Sequence, residues 1–563
     1  MNPRIEFKPI ALLVIGFWLA HSLSWCQNAS GFYYVVFKDK LGTPFQLEYP
    51  QAFLSSKSLE RRLRLGIPII EEDLPVNPQY VQGVLQTSGG VAHHTSKWFN
   101  SMTVNLSLLD SAAQVSAMEQ IASLPYVQEV KNFPINEVEV GKRRLKQEEE
   151  LGPIQLSLPN QKGYVWGFHQ LDMVNTTRLH GAGFQGQGVD VGIFDSGWLG
   201  ADQMNAFAAI RDEGRLVMTR DFVSPQMPNV FDKSTHGTNV WGIMAGAMQD
   251  QFIGAAPLSN YYLFQTEDVD SEYRIEEDNW VAAAELADSL GLDVINSSLG
   301  YSLFDDTTMN YQYSDMTGKV SRASIAAEKL AKKGVIVVNS AGNSGNGAWH
   351  YITAPADADG ILTVGAVDST MKVAGFSSHG PTYDGRVKPN VSAMGVKTYY
   401  PFSDDKVGKG NGTSYSSPII AGSTASLLSA FDAAQSPIAV RNAIEKTGSI
   451  FPSYNGDMGF GIPDFWWAYN LLLENEGLPS KQLDCIFPNP AKDIINVKTK
   501  GALVQSLRVT NASGQLLSSI GWTQSWNKNY VQLSVGRLPQ GTYFLTIETE
   551  EGISTSPFEK INE

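Results

Sequence analysis

The chain has 563 residues, 43% of them hydrophobic and 18% charged, with a formal net charge of −15. That length exceeds one hydrophobic core, so roughly two to four domains are expected, and the composition excludes disorder as the main state. The negative balance excludes nucleic acid or an anionic membrane surface as the main partner.

Arg4 and Lys8 precede an apolar run from Ile10 to Leu19, too short to span a bilayer but suited to the core of a secretory signal. Ser24 and Cys26 supply small residues for cleavage before Gln27, which makes residues 1–26 a signal peptide. A lipid anchor on Cys26 is the rival reading, and bulky Trp25 speaks against it. The second of the two cysteines is Cys485. If Cys26 leaves with the signal, no intramolecular disulfide can form, and a zinc site built on a cysteine pair is excluded. No later segment reaches membrane-spanning length.

Residues 27–135 read as a small α+β unit. Gly31 to Asp39 is a strand by its aromatic and β-branched content. Ser55 to Leu65 has helical spacing and stops at Gly66. Strand signals follow at Gly90 to His94 and Trp98 to Leu106, then a helix from Asp110, its cap, to Ser123, and a strand at Val127 to Asn132. The polar stretch 136–160 reads as a linker. Within it Lys142, Arg143 and Arg144 are either part of a solvated connector or a cleavage site for maturation.

From 161 to 475 strands alternate with helices. Strands are predicted at Val189 to Phe194, Asn260 to Gln265, Asp293 to Asn296, Val335 to Asn339 and Ile361 to Val367. Helices are predicted at His236 to Met248, Asp278 to Leu290, Ser321 to Lys333 and Ser414 to Phe431. This alternation predicts an α/β fold, a parallel sheet flanked by helices, with its chemistry at the carboxyl ends of the strands. Residues 483–563 carry short β-rich runs between turn signals, including Ile494 to Thr499, Ser506 to Thr510, Gln515 to Ile520, Tyr530 to Val535 and Thr542 to Glu548. They predict a C-terminal β-sandwich.

Amide hydrolysis needs a nucleophile, a base, a group that fixes the base, and donors for the developing oxyanion. Asp195 ends a buried strand, His236 opens a helix rich in small residues, and Asn343 sits in a glycine-rich turn after another strand. Ser414 opens a further helix, where backbone N–H groups favour negative charge. Singly, these four read as a turn former, a helix-start residue, a turn asparagine and an N-cap. Together, in one domain and all at strand ends or helix starts, they read as one constellation. His21, His93, His94, His169, His180, His350 and His379 lack comparable settings. No zinc-protease helix, phosphate loop or dinucleotide fingerprint is present.

Asp195-Ser-Gly197, His236-Gly-Thr238 and Gly412-Thr-Ser414-Tyr-Ser-Ser-Pro418 resemble the signatures of subtilisin-like serine proteases, peptidase S8 type, in their order Asp, His, Ser. Tyr415 stands where that family usually has Met, and Ser416 where it usually has Ala; neither change removes a catalytic atom. The resemblance implies a serine endopeptidase acting on protein or peptide substrates. Ser414 would be the nucleophile, His236 the general base and Asp195 the residue that holds the imidazole. Asn343 and the Ser414 N–H would form the oxyanion hole. Ser298, Leu299 and Gly300 resemble the substrate strand that pairs with an extended peptide. No cofactor is required, and no metal site is implied by spacing; structural calcium, frequent in the family, has no loop here with defensible ligand spacing.

The flanks resemble parts of secreted proteases. The first unit looks like an inhibitory prosegment. The tail, with Pro488-Asn-Pro490 and Gly541-Thr-Tyr-Phe-Leu, is similar to type IX secretion sorting domains of Bacteroidota. The implied partners are the prosegment itself and the type IX machinery, and the implied location is the medium or the outer cell surface. A catalytically inactive relative serving as a surface binding or adhesion protein is the alternative, and a generic accessory domain is the alternative for the tail.

Overall fold

The computed structural model describes residues 31–132, 166–226, 229–402, 406–431 and 435–475, and in the tail 486–487, 489–498, 504–511, 515–517, 521–524, 530–549 and 552–561. The signal segment, both cysteines and the linker with Lys142, Arg143 and Arg144 lie outside the described residues.

The N-terminal unit is an α+β domain. Strands β1 (Phe32–Phe37), β2 (Val91–Ser96), β3 (Ser101–Asn105) and β4 (Val127–Asn132) form an antiparallel sheet in the order β2-β3-β1-β4. Helix α1 (Ser56–Leu65) starts where the Ser55 hydroxyl accepts the N–H of Ser58, and it stops at Gly66 in the left-handed region, as its sequence predicts. Helix α2 (Pro78–Ser88), absent from the sequence reading, is capped by Asn77 with proline in its first turn. Helix α3 (Ser111–Ala122) is capped by Asp110. Val84, Ala117 and Ile121 of α2 and α3 close over Tyr33, Val35, Met102 and Val104 of the sheet.

The central region is a seven-stranded parallel sheet. Its strands are β5 (Asp190–Asp195), β6 (Leu216–Asp221), β7 (Asn260–Gln265), β8 (Val294–Ser297), β9 (Ile336–Ser340), β10 (Leu362–Val367) and β11 (Val391–Met394). Their order is β11-β10-β9-β8-β5-β7-β6. Helices α4 (His236–Ala245), α7 (Thr413–Leu428), α8 (Pro437–Lys446) and α9 (Phe465–Asn475) cover one face; α5 (Ile275–Leu290) and α6 (Arg322–Lys332) cover the other. Strand residues alternate between the two cores, Ile193 and Val338 facing α4 and α7, Phe194 and Val337 facing α5 and α6.

Helix boundaries depart from expectation by up to three residues: α7, predicted to reach Phe431, ends at Leu428, and α5, predicted from Asp278, begins at Ile275. The helix predicted to reach Met248 ends at Ala245, and Ala247–Met248 pairs with Phe252–Ile253 in a short antiparallel ladder. Gly246 turns extended at ψ 134 while its N–H bonds Gly242. A Cβ there would lie 2.5 Å from Pro401 Cγ, so the close approach requires glycine. The tail is a β-sandwich of two four-stranded antiparallel sheets. Ile495, Val497 and Leu533 of one sheet pack against Val509, Leu545 and Phe558 of the other.

The N-terminal unit is seated on α5 and α6 through buried charge. Asp288, fully buried, takes Arg61 at 2.8 Å, Arg62 at 2.7 Å and Lys97 at 3.4 Å. Arg62 also pairs with Asp73 at 2.8 Å. Arg322 of α6 bonds Asp278 at 2.5 Å beneath the rings of Tyr34 and Phe99. His93 and His94 both approach Asn279 Oδ1 at 3.0 Å, and His94 reaches the carbonyl of Phe222 at 2.8 Å.

Burial, then the neighbouring His93, pushes His94 down to about 3 from an ordinary 6.5. The unfolded chain therefore binds this proton first as pH falls. The contribution is complete above about pH 6.5 and is lost progressively toward pH 3, reaching about 2 kcal/mol at pH 5. Urea unfolding of the intact chain at pH 7.5 and 5 should show this loss, and His94→Gln should flatten the slope; an unchanged slope would count against it.

Candidate active site

Parallel register brings the site together before any side chain is considered. Phe194 lies opposite Ser297 and Ser297 opposite Asn339, so β5, β8 and β9 end at one edge. Asp195 is the last residue of β5, Ser298 follows β8 and Asn343 follows β9. The strand order reverses at β5, where open α/β sheets open a crevice.

Asp195 is fully buried. Its Oδ1 accepts the ring N–H of His236 Nδ1 at 2.7 Å and the backbone N–H of Ser196 at 2.7 Å. A carboxylate only accepts, so Nδ1 carries the proton and Nε2 is the basic nitrogen. The ring is held from behind: the His236 N–H bonds the Ser234 hydroxyl at 3.1 Å, and Ser196 Oγ donates to Ser234 Oγ at 2.9 Å. The two glycines of the flanking motifs have a steric cause. A Cβ on Gly237 would lie 2.4 Å from the carbonyl of Gly197, so α4 can begin this close to the turn after β5 only without one.

Ser414 is the second residue of α7, after the cap Gly412. Its hydroxyl donates to the Ser298 carbonyl at 3.3 Å, and the Ser298 hydroxyl donates back to the Ser414 carbonyl at 3.0 Å. Ser417 Oγ bonds Asn296 Oδ1 at 2.7 Å, and Asn296 Nδ2 bonds Ser298 Oγ at 3.0 Å, locking α7 to the end of β8. Asn343 Oδ1 accepts from the Thr413 N–H at 2.8 Å and the Thr413 hydroxyl at 3.0 Å. The amide oxygen is thus taken up by Thr413 at the helix start, and Nδ2 is the donor of the side chain.

Ser298 is buried, Leu299 half-buried and Gly300 exposed. Asn339 Nδ2 holds the Leu299 carbonyl at 3.2 Å, and Tyr301 pairs with Ala354 through two backbone bonds. Tyr415 is buried, its ring 6.2 Å from that of His236 and 5.3 Å from Tyr400. The structure thus joins Asp195 to His236, Ser414 to Ser298, and Asn343 to Thr413 beside Ser414. Thr413, Asn296, Ser196 and Ser234, which orient these residues, were not singled out; Thr413 and Ser196 had a signal, their places inside the serine and aspartate motifs. Among the other histidines, His379 does have an aspartate, Asp457 at 2.7 Å, but 56% of that side chain is exposed. Among the described residues no group of three or more His, Cys, Asp or Glu could hold a metal ion, and no helix is long and apolar enough to cross a membrane.

A model of the subtilase family matches residues 186–464. Subtilisin DY of Bacillus licheniformis is 31% identical over 281 residues, which cover 90% of that protein and 50% of this chain. The chain belongs to the subtilase family. It is a serine-type endopeptidase by that membership. Subtilisin of Bacillus pumilus is 30% identical over 264 residues, 83% of its length and 46% of this subtilase. The thermostable alkaline protease of Halalkalibacterium halodurans is 25% identical over 327 residues, 79% of its length and 56% of the chain. Residues 32–150 match the peptidase S8 propeptide domain of Bacteroidota, and residues 485–560 match a secretion system C-terminal sorting domain. The sorting domain, of the type IX kind, implies that the subtilase is secreted or attached to the outer surface.

Tyr415 fits because Gly410 makes room: a Cβ at 410 would lie 2.4 Å from the Tyr415 ring. Gly410→Ala should lower stability by about 1–3 kcal/mol in thermal or urea unfolding. Adding Tyr415→Met should recover part of that loss, and no recovery would mean the clash lies elsewhere.

Proposed function

We propose that this subtilase hydrolyses peptide bonds with Ser414 as nucleophile, His236 as general base and Asp195 as the group that orients and stabilises the imidazolium. The single observation that carries this reading is the buried 2.7 Å contact from His236 Nδ1 to Asp195, at the edge where α7 presents Ser414. Ser414 attacks the scissile carbonyl as His236 Nε2 takes its proton. The acyl-enzyme forms when that proton passes to the leaving amine, and water reverses the sequence. Asn343 Nδ2 and the Ser414 N–H, at the positive end of α7, stabilise the oxyanion. Ser298 to Gly300 pair with the substrate backbone on the acyl side of the scissile bond. The inactive surface-binding alternative has no observation in its favour.

The processing that fits this reading removes residues 1–26 as a signal peptide and 27–135 as an inhibitory prosegment. Residues 136–160 are then a linker, 161–475 the catalytic domain, and 483–563 the sorting domain. The seat of the N-terminal unit on α5 and α6 supports inhibition by that unit. No cofactor enters the mechanism.

Fluorophosphonate labelling of the secreted protein beside Ser414→Ala, with N-terminal sequencing, tests both parts. Labelling that vanishes in the variant, on a chain beginning past residue 135, is expected. A folded, processed protein that does not label would overturn the catalytic assignment. Asp195→Asn should leave the fold intact and lower kcat by about 10⁴-fold against any cleaved peptide; a loss under tenfold would remove Asp195 from the mechanism.

A further inference from the structure

Between β7 and the first turn of α5 runs a segment whose charge the hydrolytic machinery does not use, Thr266 to Glu276. The Thr266 N–H bonds the carbonyl of Asp195 at 3.0 Å, so the segment starts beside the site. Glu267 follows, and its Oε1 accepts the hydroxyls of Tyr301 and Thr266. Tyr301 comes directly after Gly300. Glu267 therefore bridges the strand end that carries Asp195 and the segment assigned to the substrate backbone.

Glu276, in the first turn of α5, is 1% exposed. Its Oε1 accepts the Asp268 N–H at 2.8 Å, while its Oε2 is buried with no hydrogen-bond partner among the described residues. The Glu272 N–H donates to Asp305 Oδ2 at 3.0 Å, and the Asp305 N–H donates to the Glu272 carbonyl at 3.0 Å. Arg274 is the one lysine or arginine in the segment, and it is turned elsewhere. Its Nε donates to the Met309 carbonyl at 3.0 Å, and its guanidinium lies 4.4 Å from the Tyr311 ring centre. No lysine or arginine among the described residues pairs with Glu267 or Glu276. Burial first, then the charge of Glu272, raises Glu267 to about 8. Burial, then Glu267, raises Glu276 well above the usual carboxylate range.

A buried carboxylate oxygen with no donor is costly unless a ligand satisfies it. The carboxylates do not form a group that could hold a metal ion. A guanidinium, with five donors spread across a plane at the end of a long stem, can reach carboxylates that do not converge on a point.

We propose that Glu267 and Glu276 form a subsite for a basic side chain of the substrate, arginine before lysine, on the acyl side of the scissile bond. The proposal rests on the reading of Ser414 and Ser298 to Gly300 given above. From Ser298, which holds Ser414, to Tyr301 is three residues, about 10 Å of extended chain; the basic residue is thus about the second to fourth before the cut. Acidic side chains at that place are rejected by the same carboxylates. The chain carries a ligand of this chemistry itself. Lys142, Arg143 and Arg144 begin ten positions after Asn132, the last described residue of the N-terminal unit, a reach of about 33 Å.

The test is a set of fluorogenic peptides with arginine at the second, third or fourth residue before the cut, each beside a twin carrying neutral citrulline. The mature enzyme should favour arginine over citrulline in kcat/KM by on the order of 10- to 100-fold at one of these positions. In Glu267→Gln/Glu276→Gln the ratio should fall to ~3-fold or less, whatever the absolute rate, with each single variant between. A wild-type ratio near one at all three positions, or an undiminished ratio in the double and both single variants, would overturn the subsite. Fluorophosphonate labelling of the same preparations reports the nucleophile and the fold, not the subsite. Labelling with a ratio near one removes the subsite alone; absence of both labelling and hydrolysis in wild type removes the underlying assignment and the subsite with it.

Discussion

The parallel pairing of β5 with β8 and of β8 with β9 is the constraint on which the rest depends. It ends three strands at one edge, so Asp195, Ser298 and the turn carrying Asn343 emerge side by side. The register is held from both faces. A slip of one residue would move Ile193 into the core under α5 and Phe194 into the core under α7. The position of Asp195 is thus set by hydrophobic packing several residues behind it. The helices that return over the sheet begin at this same edge, and their N-terminal N–H groups concentrate positive potential there. His236 and Ser414 sit on two of those helix starts.

Helix α5 shows how the chain treats buried charge. Toward its C-terminal end, Asp288 meets three cations supplied by the N-terminal unit, and Glu285 accepts the N–H groups of Lys97 and Trp98 with the Ser96 hydroxyl. Asp278 has Arg322 and Thr103. Such pairs add less to stability than their number suggests, because desolvation offsets most of the attraction, but they fix one docking geometry. At the N-terminal end of the same helix the pattern stops: Glu276 keeps an oxygen without a donor.

The strands were legible because each is buried on both faces and clusters apolar, mostly β-branched residues: Val189 to Phe194, Asp293 to Asn296 and Val335 to Asn339 each lie within one residue of the observed β5, β8 and β9. The elements that were not legible lack that signature. In β6, half-buried Leu216 and Met218 alternate with exposed Val217 and Thr219 on an edge strand that reads as loop. Helix α2, with glycine inside and few apolar residues, has little periodicity beyond its Asn-Pro start. At the site, Asp195, His236 and Ser414 were found through their motifs. Those that aim them were not, since Ser417 and Asn296 meet across 121 positions of sequence, and no local pattern records such a contact.

The second histidine–aspartate pair shows what the motif alone does not contain. His379 and Asp457 meet at the same 2.7 Å as His236 and Asp195, and by distance the two are indistinguishable. Their surroundings separate them. Asp457 is more than half exposed, so water screens its charge and competes for its oxygens. Asp195 is fully buried, receives the Ser196 N–H beside the imidazole, and cannot exchange its partner for solvent. In the first pair the imidazole is one option for a hydrated carboxylate. In the second, the fold has removed the other options, and the imidazole is held in one tautomer with its basic nitrogen turned away from the aspartate. The fixed imidazole follows from burial of its partner at a strand end, and that is a property of the sheet before it is a property of the two residues.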